Sequence, residues 1–168
     1  MFNKIIVLGM DNTGKTTLCK ELAERLGYEH VNSLGPKVSK EEMAQFIDDH
    51  LADEKPMIFE RFCFFEEMVY GEILRGESKF HWDGPYHYKI QDANPLIIYC
   101  RPSRKKIFQF GDREQMPGVI EESEKLLSAF DDLYFSLMGH GLFVITYSFE
   151  YVTVDQLVFM INHWNGKE

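Results

Sequence analysis

Residues Gly9-Met10-Asp11-Asn12-Thr13-Gly14-Lys15-Thr16 follow the pattern G-x-x-x-x-G-K-[ST]. That spacing suits one kind of chemistry, the cradling of a polyphosphate. The two glycines let the backbone turn tightly, so that successive N–H groups converge on anionic oxygens, and a following helix adds its own unpaired N–H groups. Gly9, Asn12, Thr13, Gly14, Lys15, Thr16 and Thr17 are therefore the expected binding set for a nucleoside triphosphate such as ATP. Lys15 is expected to neutralise the β/γ oxygens, which makes it a catalytic candidate, and the Thr16 hydroxyl to face Mg2+. The plainer alternative, a glycine turn with an incidental lysine, does not account for the apolar run before the motif or the helical spacing after it.

Asp11, inside the loop, has no reason to face a polyanion. It is expected either to turn away and accept a hydrogen bond from a second ligand's hydroxyl, or to steady the loop through nearby backbone amides. Glu60-Arg61 closes the apolar run over residues 57–59. A carboxylate there can join Thr16 around Mg2+, directly or through water, which makes Glu60 a metal and catalytic candidate. Arg61 beside it can grip an acceptor phosphate with its planar fork. The competing reading is an ordinary ion pair at a strand end. Of the rings that follow, Phe62, Phe64, Phe65 and Tyr70, most belong to a core. One or two can stack on an acceptor base, and Phe64 and Tyr70 are the candidates.

Arg101, Arg104, Lys105, Lys106 and Arg113 place five of the 18 lysines and arginines in thirteen consecutive residues. Ser103 can cap a short helix, and Phe110-Gly111-Asp112-Arg113-Glu114-Gln115-Met116-Pro117-Gly118 reads as a mobile loop. A lid over about residues 103–118 would bring Arg113 onto the transferring phosphoryl group as a catalytic finger. The alternative is a solvated basic helix.

These side chains need a frame. Strand-like runs recur at residues 5–8, 57–59, 96–100 and 142–146, with a weaker one at 29–31. Leucines at helical spacing after the motif stop at Gly27, and Ser39-Lys40-Glu41-Glu42 is a capping box that opens a helix carrying Met43, Phe46, Ile47 and Leu51. Residues 62–74 form an aromatic-rich helix ended near Gly76, and 121–137 another. Thr153-Val154-Asp155-Gln156 is a second capping box, ahead of a stripe of Val154, Leu157, Val158, Ile161 and Trp164. Alternation of strand and helix predicts an α/β fold of three layers: a parallel five-stranded sheet with helices on both faces, carrying ligands at the carboxyl ends of its strands.

At 168 residues, without repeat or linker, residues 1–168 read as a single domain. A content of 45% hydrophobic and 27% charged residues is that of a globular chain. No apolar stretch reaches membrane-spanning length, and a strand rather than a secretory signal is expected from residue 4. Cys19, Cys63 and Cys100 lack metal spacing and are expected reduced, in a cytoplasmic setting. A net charge of −9 argues against nucleic acid as partner.

The motifs together resemble a known family. Gly9-x-Asp11-x-x-Gly14-Lys15-Thr16-Thr17 resembles the G-x-D-x-x-G-K-[ST]-[ST] loop of thymidylate kinases, within the nucleoside monophosphate kinase fold. Glu60-Arg61-Phe62 stands where that family has Asp-Arg-Tyr or Asp-Arg-Phe. The run from Arg61 through Tyr70-Gly71 and Leu74-Arg75-Gly76, and Cys100-Arg101-Pro102, are similar to short thymidylate-kinase-like proteins of bacteriophages. The likeness covers most of residues 3–147, with specific motifs at three places. It implies ATP- and Mg2+-dependent phosphorylation of a deoxynucleoside monophosphate, dTMP by preference, in a bacterial host cytoplasm. It also implies Asp11 on the sugar 3′-hydroxyl, Glu60 serving magnesium, Arg61 the acceptor phosphate, Arg75 in the acceptor set and Arg113 on the phosphates.

Glu in place of Asp at position 60 is similar instead to deoxyribonucleoside kinases, so a nucleoside acceptor stands as the nearest alternative. The chain is also shorter than typical cellular thymidylate kinases, and its lid is not the usual arginine-rich form. A kinase of a hydroxymethylated base in phage DNA is a further alternative, set against the acidic charge. From a different class comes a nucleotide-binding regulator without turnover, although no N-K-x-D guanine motif is present. The acceptor base has no motif; Gln91, Asn94, Gln115, His81, Trp82, Tyr86 and Tyr88 are the polar and aromatic candidates, and helices over 39–75 could supply a homodimer face.

Overall fold

The computed structural model describes residues 1–35, 37–109 and 115–167. Its centre is β1 (Lys4–Leu8), a lysine followed by four aliphatic residues, buried along its whole length. Such a run is apolar on both faces, as a strand covered by helices on each side must be. β2 (Glu29–Asn32), β3 (Met57–Glu60), β4 (Leu96–Cys100) and β5 (Phe143–Tyr147) complete a five-stranded, all-parallel sheet in the order β2-β3-β1-β4-β5. The fifth strand begins one residue later than its apolar pattern predicts.

Alternate residues along the strands divide the core in two, because successive side chains leave opposite faces of a sheet. Ile6, Leu8, Phe59, Ile97 and Tyr99 face α2 (Lys40–Ala52), α3 (Cys63–Glu66), α4 (Pro85–Ala93) and α6 (Ser123–Gly139). Ile5, Val7, Ile58, Leu96 and Ile98 face α1 (Lys15–Leu26) and α7 (Val154–Trp164). Both expected capping boxes form: Ser39 accepts from the Glu42 amide and Thr153 from the Gln156 amide, with the Glu42 and Gln156 side chains reaching back.

Two features depart from the sequence reading. The helix expected over 62–74 is α-helical only in its first turn, α3, and continues as a wider π-helix, Glu67–Arg75, capped by Gly76 in the left-handed region at φ 76°. Gly71 sits on its inner side, where an added Cβ would lie 2.9 Å from both the Glu77 carbonyl oxygen and Arg75 Nη2. The second departure is α4, which opens on Pro85 and buries only His87 and Ile90. Two apolar-facing positions in nine residues give too thin a stripe to read as a helix. A short α5 (Arg104–Ile107) follows Ser103. No helix among the described residues is long and apolar enough to cross a membrane.

Candidate active site

The loop between β1 and α1 lies at the carboxyl end of the central strand. Gly9 holds φ 138°, and a Cβ there would stand 2.6 Å from the Cys100 carbonyl oxygen, so only glycine fits. Lys15 is buried and donates from Nζ to the Met10 carbonyl at 2.5 Å and to Thr13 Oγ1 at 3.3 Å. Burial first, and then the Arg61 charge, lower its pKa to about 8. A cavity of about 370 Å³ opens over this loop, lined by residues 11–17 with Glu60, Arg61, Gln115 and Met116.

Glu60 closes β3 in register with Val7 of β1 and Asn32 of β2. Its Oε1 accepts from the Thr16 hydroxyl, and its Oε2 lies 3.1 Å from His30 Nε2. A hydroxyl and a carboxylate brought together at a phosphate loop are hard oxygen donors of the kind Mg2+ takes, with phosphates and water completing its coordination.

Arg61 extends the sheet by one more hydrogen bond, from its amide to the Val7 carbonyl at 3.0 Å, yet its own φ is 68°. The left-handed region is unusual for a long side chain and is held here by partners on both arms. Nη2 donates to Asp11 Oδ1 and Nη1 to Glu66 Oε2 at 3.0 Å. Burial opposes the guanidinium charge, but Glu66, Tyr70 and Asp11 outweigh it and raise the Arg61 pKa. Asp11 is thus engaged by Arg61 at the edge of the phosphate-loop cavity, and it does not line the second one.

A second cavity, of about 480 Å³, adjoins the first and shares Glu60, Arg61 and Met116 with it. Leu34, Met43, Leu74 and Met116 make it largely apolar, while Glu66, Glu67, Tyr70 and Arg75 bring polar groups from α3 and the π-helix. Arg75 Nη2 donates to Glu67 Oε1 at 2.5 Å. Among the described residues, Glu66 Oε1 and Tyr70 Oη are buried without a hydrogen-bond partner. Both residues border this cavity, and burial raises the pKa of each. The Arg61 guanidinium carbon stands 5.6 Å from the centre of the Tyr70 ring.

Thr16, Lys15, Glu60, Arg61, Asp11, Tyr70 and Arg75 are therefore gathered around the two cavities. Phe64 is not. It is 1% exposed, packed on Phe65 and Phe80, and lines neither cavity. Its neighbour Cys63 takes the cavity side, and one residue along a helix turns the side chain by about 100°, into the core. The Cys63 thiol, pushed up to about 12 by burial, is a packing group rather than a nucleophile. Arg113 lies outside the described residues. In the described part of the basic segment, Arg101, ahead of the expected lid, is clamped by Asp131 at 2.8 and 2.9 Å, and Arg104 pairs with Glu124. Met116 and Pro117 reach the second cavity, and Asn12 Nδ2 bonds the Ile107 carbonyl at 3.3 Å.

Glu66 and His30 were not foreseen. Neither sits in a motif, and each meets its partner only through the fold. Of the candidate base readers, Trp82, Tyr86 and His81 do not line the cavities, whereas Gln115 borders the phosphate loop.

No protein-family profile matches the chain, and no curated protein sequence does. Solved structures do match. The YorR protein from Bacillus subtilis, in complex with phosphorylated GDP, superposes with a TM-score of 0.76 at 16% identity over 97% of this chain and 95% of that one. Deoxyadenosine kinase from M. mycoides, with dCMP and a flexible dCDP bound, gives 0.59 at 19% identity over 97% and 98%. Thymidylate kinase from Candida albicans gives 0.60 at 12% identity over 98% and 92%. At such identities the likeness establishes architecture alone: the chain has the α/β fold of the P-loop kinases.

Proposed function

We propose that the chain transfers the terminal phosphoryl group of ATP to a deoxynucleoside monophosphate, thymidylate by preference, yielding the diphosphate. The observation that carries this reading is the pair of adjoining cavities sharing the Glu60-Arg61 wall, one over a phosphate loop and one largely apolar and nucleoside-sized. Two polyanions meeting across such a wall need positioning and charge neutralisation more than covalent chemistry. Lys15 and the loop amides hold the donor phosphates. Thr16 and Glu60 would hold Mg2+, which supplies neutralising charge to the phosphates when bound. Arg61 binds the acceptor phosphate, exchanging one carboxylate for it, while Tyr70 and Arg75 line the acceptor's place. Arg113, from the expected lid, would stabilise the transferring phosphoryl group, with Arg101 and Arg104 next in line. The deoxyadenosine and thymidylate kinases among the structural neighbours support a deoxynucleotide class of acceptor.

One observation favours a nucleoside acceptor instead. Both arms of the Arg61 fork are taken by Asp11 and Glu66, and the Glu66 carboxylate, whose Oε1 has no partner among the described residues, could receive a hydroxyl proton once the fork moves. A panel of ATP with the four deoxynucleoside monophosphates, then with the four deoxynucleosides, separates the two. ADP release with dTMP and little with thymidine is the expected result, thymidine as the better acceptor overturns the monophosphate reading, and no turnover with any acceptor favours a regulator.

A further inference from the structure

We propose that His30 is a positioning residue for the metal–nucleotide site, fixing the Glu60 carboxylate in one orientation. The inference rests on the donor-site half of the proposed function and not on the identity of the acceptor.

His30 and Glu60 come from different strands and meet through sheet geometry. In the β2–β3 register His30 pairs with Ile58 and Asn32 with Glu60. Paired residues and their i+2 neighbours share a face, so His30, Asn32, Ile58 and Glu60 stand on one side of the sheet. Ile58 packs with Leu18, Cys19 and Leu22 of α1, which identifies that side as the one α1 covers. Thr16 opens α1 on the same side. His30 is thus one diagonal step behind Glu60, and its ring spans that step, leaving Nε2 3.1 Å from Oε2. The two side chains are only 19% and 15% exposed.

The chemistry of that contact is directional. A carboxylate accepts, so the ring donates through Nε2–H. With Thr16 donating to Oε1 and His30 to Oε2, each oxygen of Glu60 has its own donor from a different element. Thr16 alone would leave the carboxylate free to swing about its terminal bonds. The second donor removes that rotation, so the carboxylate faces the phosphate loop without being reordered on binding. An aliphatic residue would fill a half-covered sheet position equally well but would not do this.

The test measures metal binding directly. Mn2+ is titrated into the protein with ADP, free Mn2+ being followed by electron paramagnetic resonance, for the parent, His30→Leu and His30→Gln. Leucine keeps bulk without a donor, and glutamine keeps an N–H donor at similar reach. His30→Leu is expected to weaken Mn2+ binding by roughly 10-fold or more, and His30→Gln to return to within roughly threefold of the parent. ADP affinity in EDTA and the unfolding temperature should be unchanged in both. In turnover assays His30→Leu should raise the Mg2+ concentration for half-maximal rate and regain kcat at saturating Mg2+. Parental Mn2+ affinity in His30→Leu overturns the proposal, and so does a glutamine variant as weak as the leucine one, which would mean packing rather than donation. If the parent binds Mn2+ with ADP but turns over no acceptor, the catalytic reading fails while the His30 comparison still stands. A parent that binds no metal–nucleotide overturns both.

Discussion

Arg61 concentrates more of the site than any other residue: a left-handed backbone, two carboxylate partners and a place on both cavities. Arg61→Lys preserves the charge but loses the planar fork, so dTMP phosphorylation should fall by roughly 10-fold or more, with any nucleoside activity falling less. Steady-state kinetics on both acceptors would expose an equal loss, which contradicts the assigned role. Lys15 gives a pH signature. Its pKa of about 8 means that the free protein loses this positive charge as pH rises through that value. A bound triphosphate favours the charged form and raises the pKa, so binding takes up a proton, and affinity should decline as pH climbs above about 8. Calorimetry at pH 8 in buffers of differing ionisation heat should find uptake of up to about half a proton, absent in Lys15→Ala. That variant should also lose transfer by about 100-fold or more. That Lys15 and Thr16 stand at one loop was legible because the motif fixes their spacing, and that Glu60 joins them was legible because it ends an apolar strand-like run. The Asp11–Arg61–Glu66 group was not, because no local pattern tells a carboxylate that it will meet an arginine fifty residues away.

The elements were legible where one physical rule dominated. β1 is a burial signal and both capping boxes are hydrogen-bond signals, and each formed as read. Ser39→Ala and Thr153→Ala should each lower stability by about 1 kcal/mol in denaturant melts, and unchanged midpoints would mean that the caps are dispensable. The π-helix was illegible because its sequence carries ordinary helical spacing, and the widening depends on the fold around Gly71. Gly71→Ala drives a Cβ against the Glu77 carbonyl and the Arg75–Glu67 pair. A carbonyl oxygen cannot yield as a side chain does, so the cavity wall must shift. The acceptor KM should rise several-fold, roughly 1 kcal/mol, while ATP affinity stays at the parental value. A change in ATP affinity alone would place the effect elsewhere.

At the scale of the whole chain, the two ends are fastened together. Asn165 accepts from the Phe2 amide at 2.5 Å and donates to the Phe2 carbonyl at 3.3 Å and the Tyr28 hydroxyl at 3.2 Å. Asn165→Leu leaves the part-buried Phe2 amide without its acceptor, the Tyr28 hydroxyl still bonding the Phe2 carbonyl, and should lower stability by about 1–2 kcal/mol while leaving kcat intact at assay temperature; a loss of kcat in fully folded protein would contradict a purely structural role. The active-site wall has a different reach. Because Glu60 and Arg61 border both cavities, an alteration there should be felt by the ligands proposed for both, and any coupling between their affinities must be equal in either direction. Leu34, Met43 and Leu74 border the second cavity alone. Divergence among descendants of this chain should therefore be lopsided: a lineage that exchanges one acceptor for another would keep its Glu-Arg pair and rewrite its aliphatic and methionine lining.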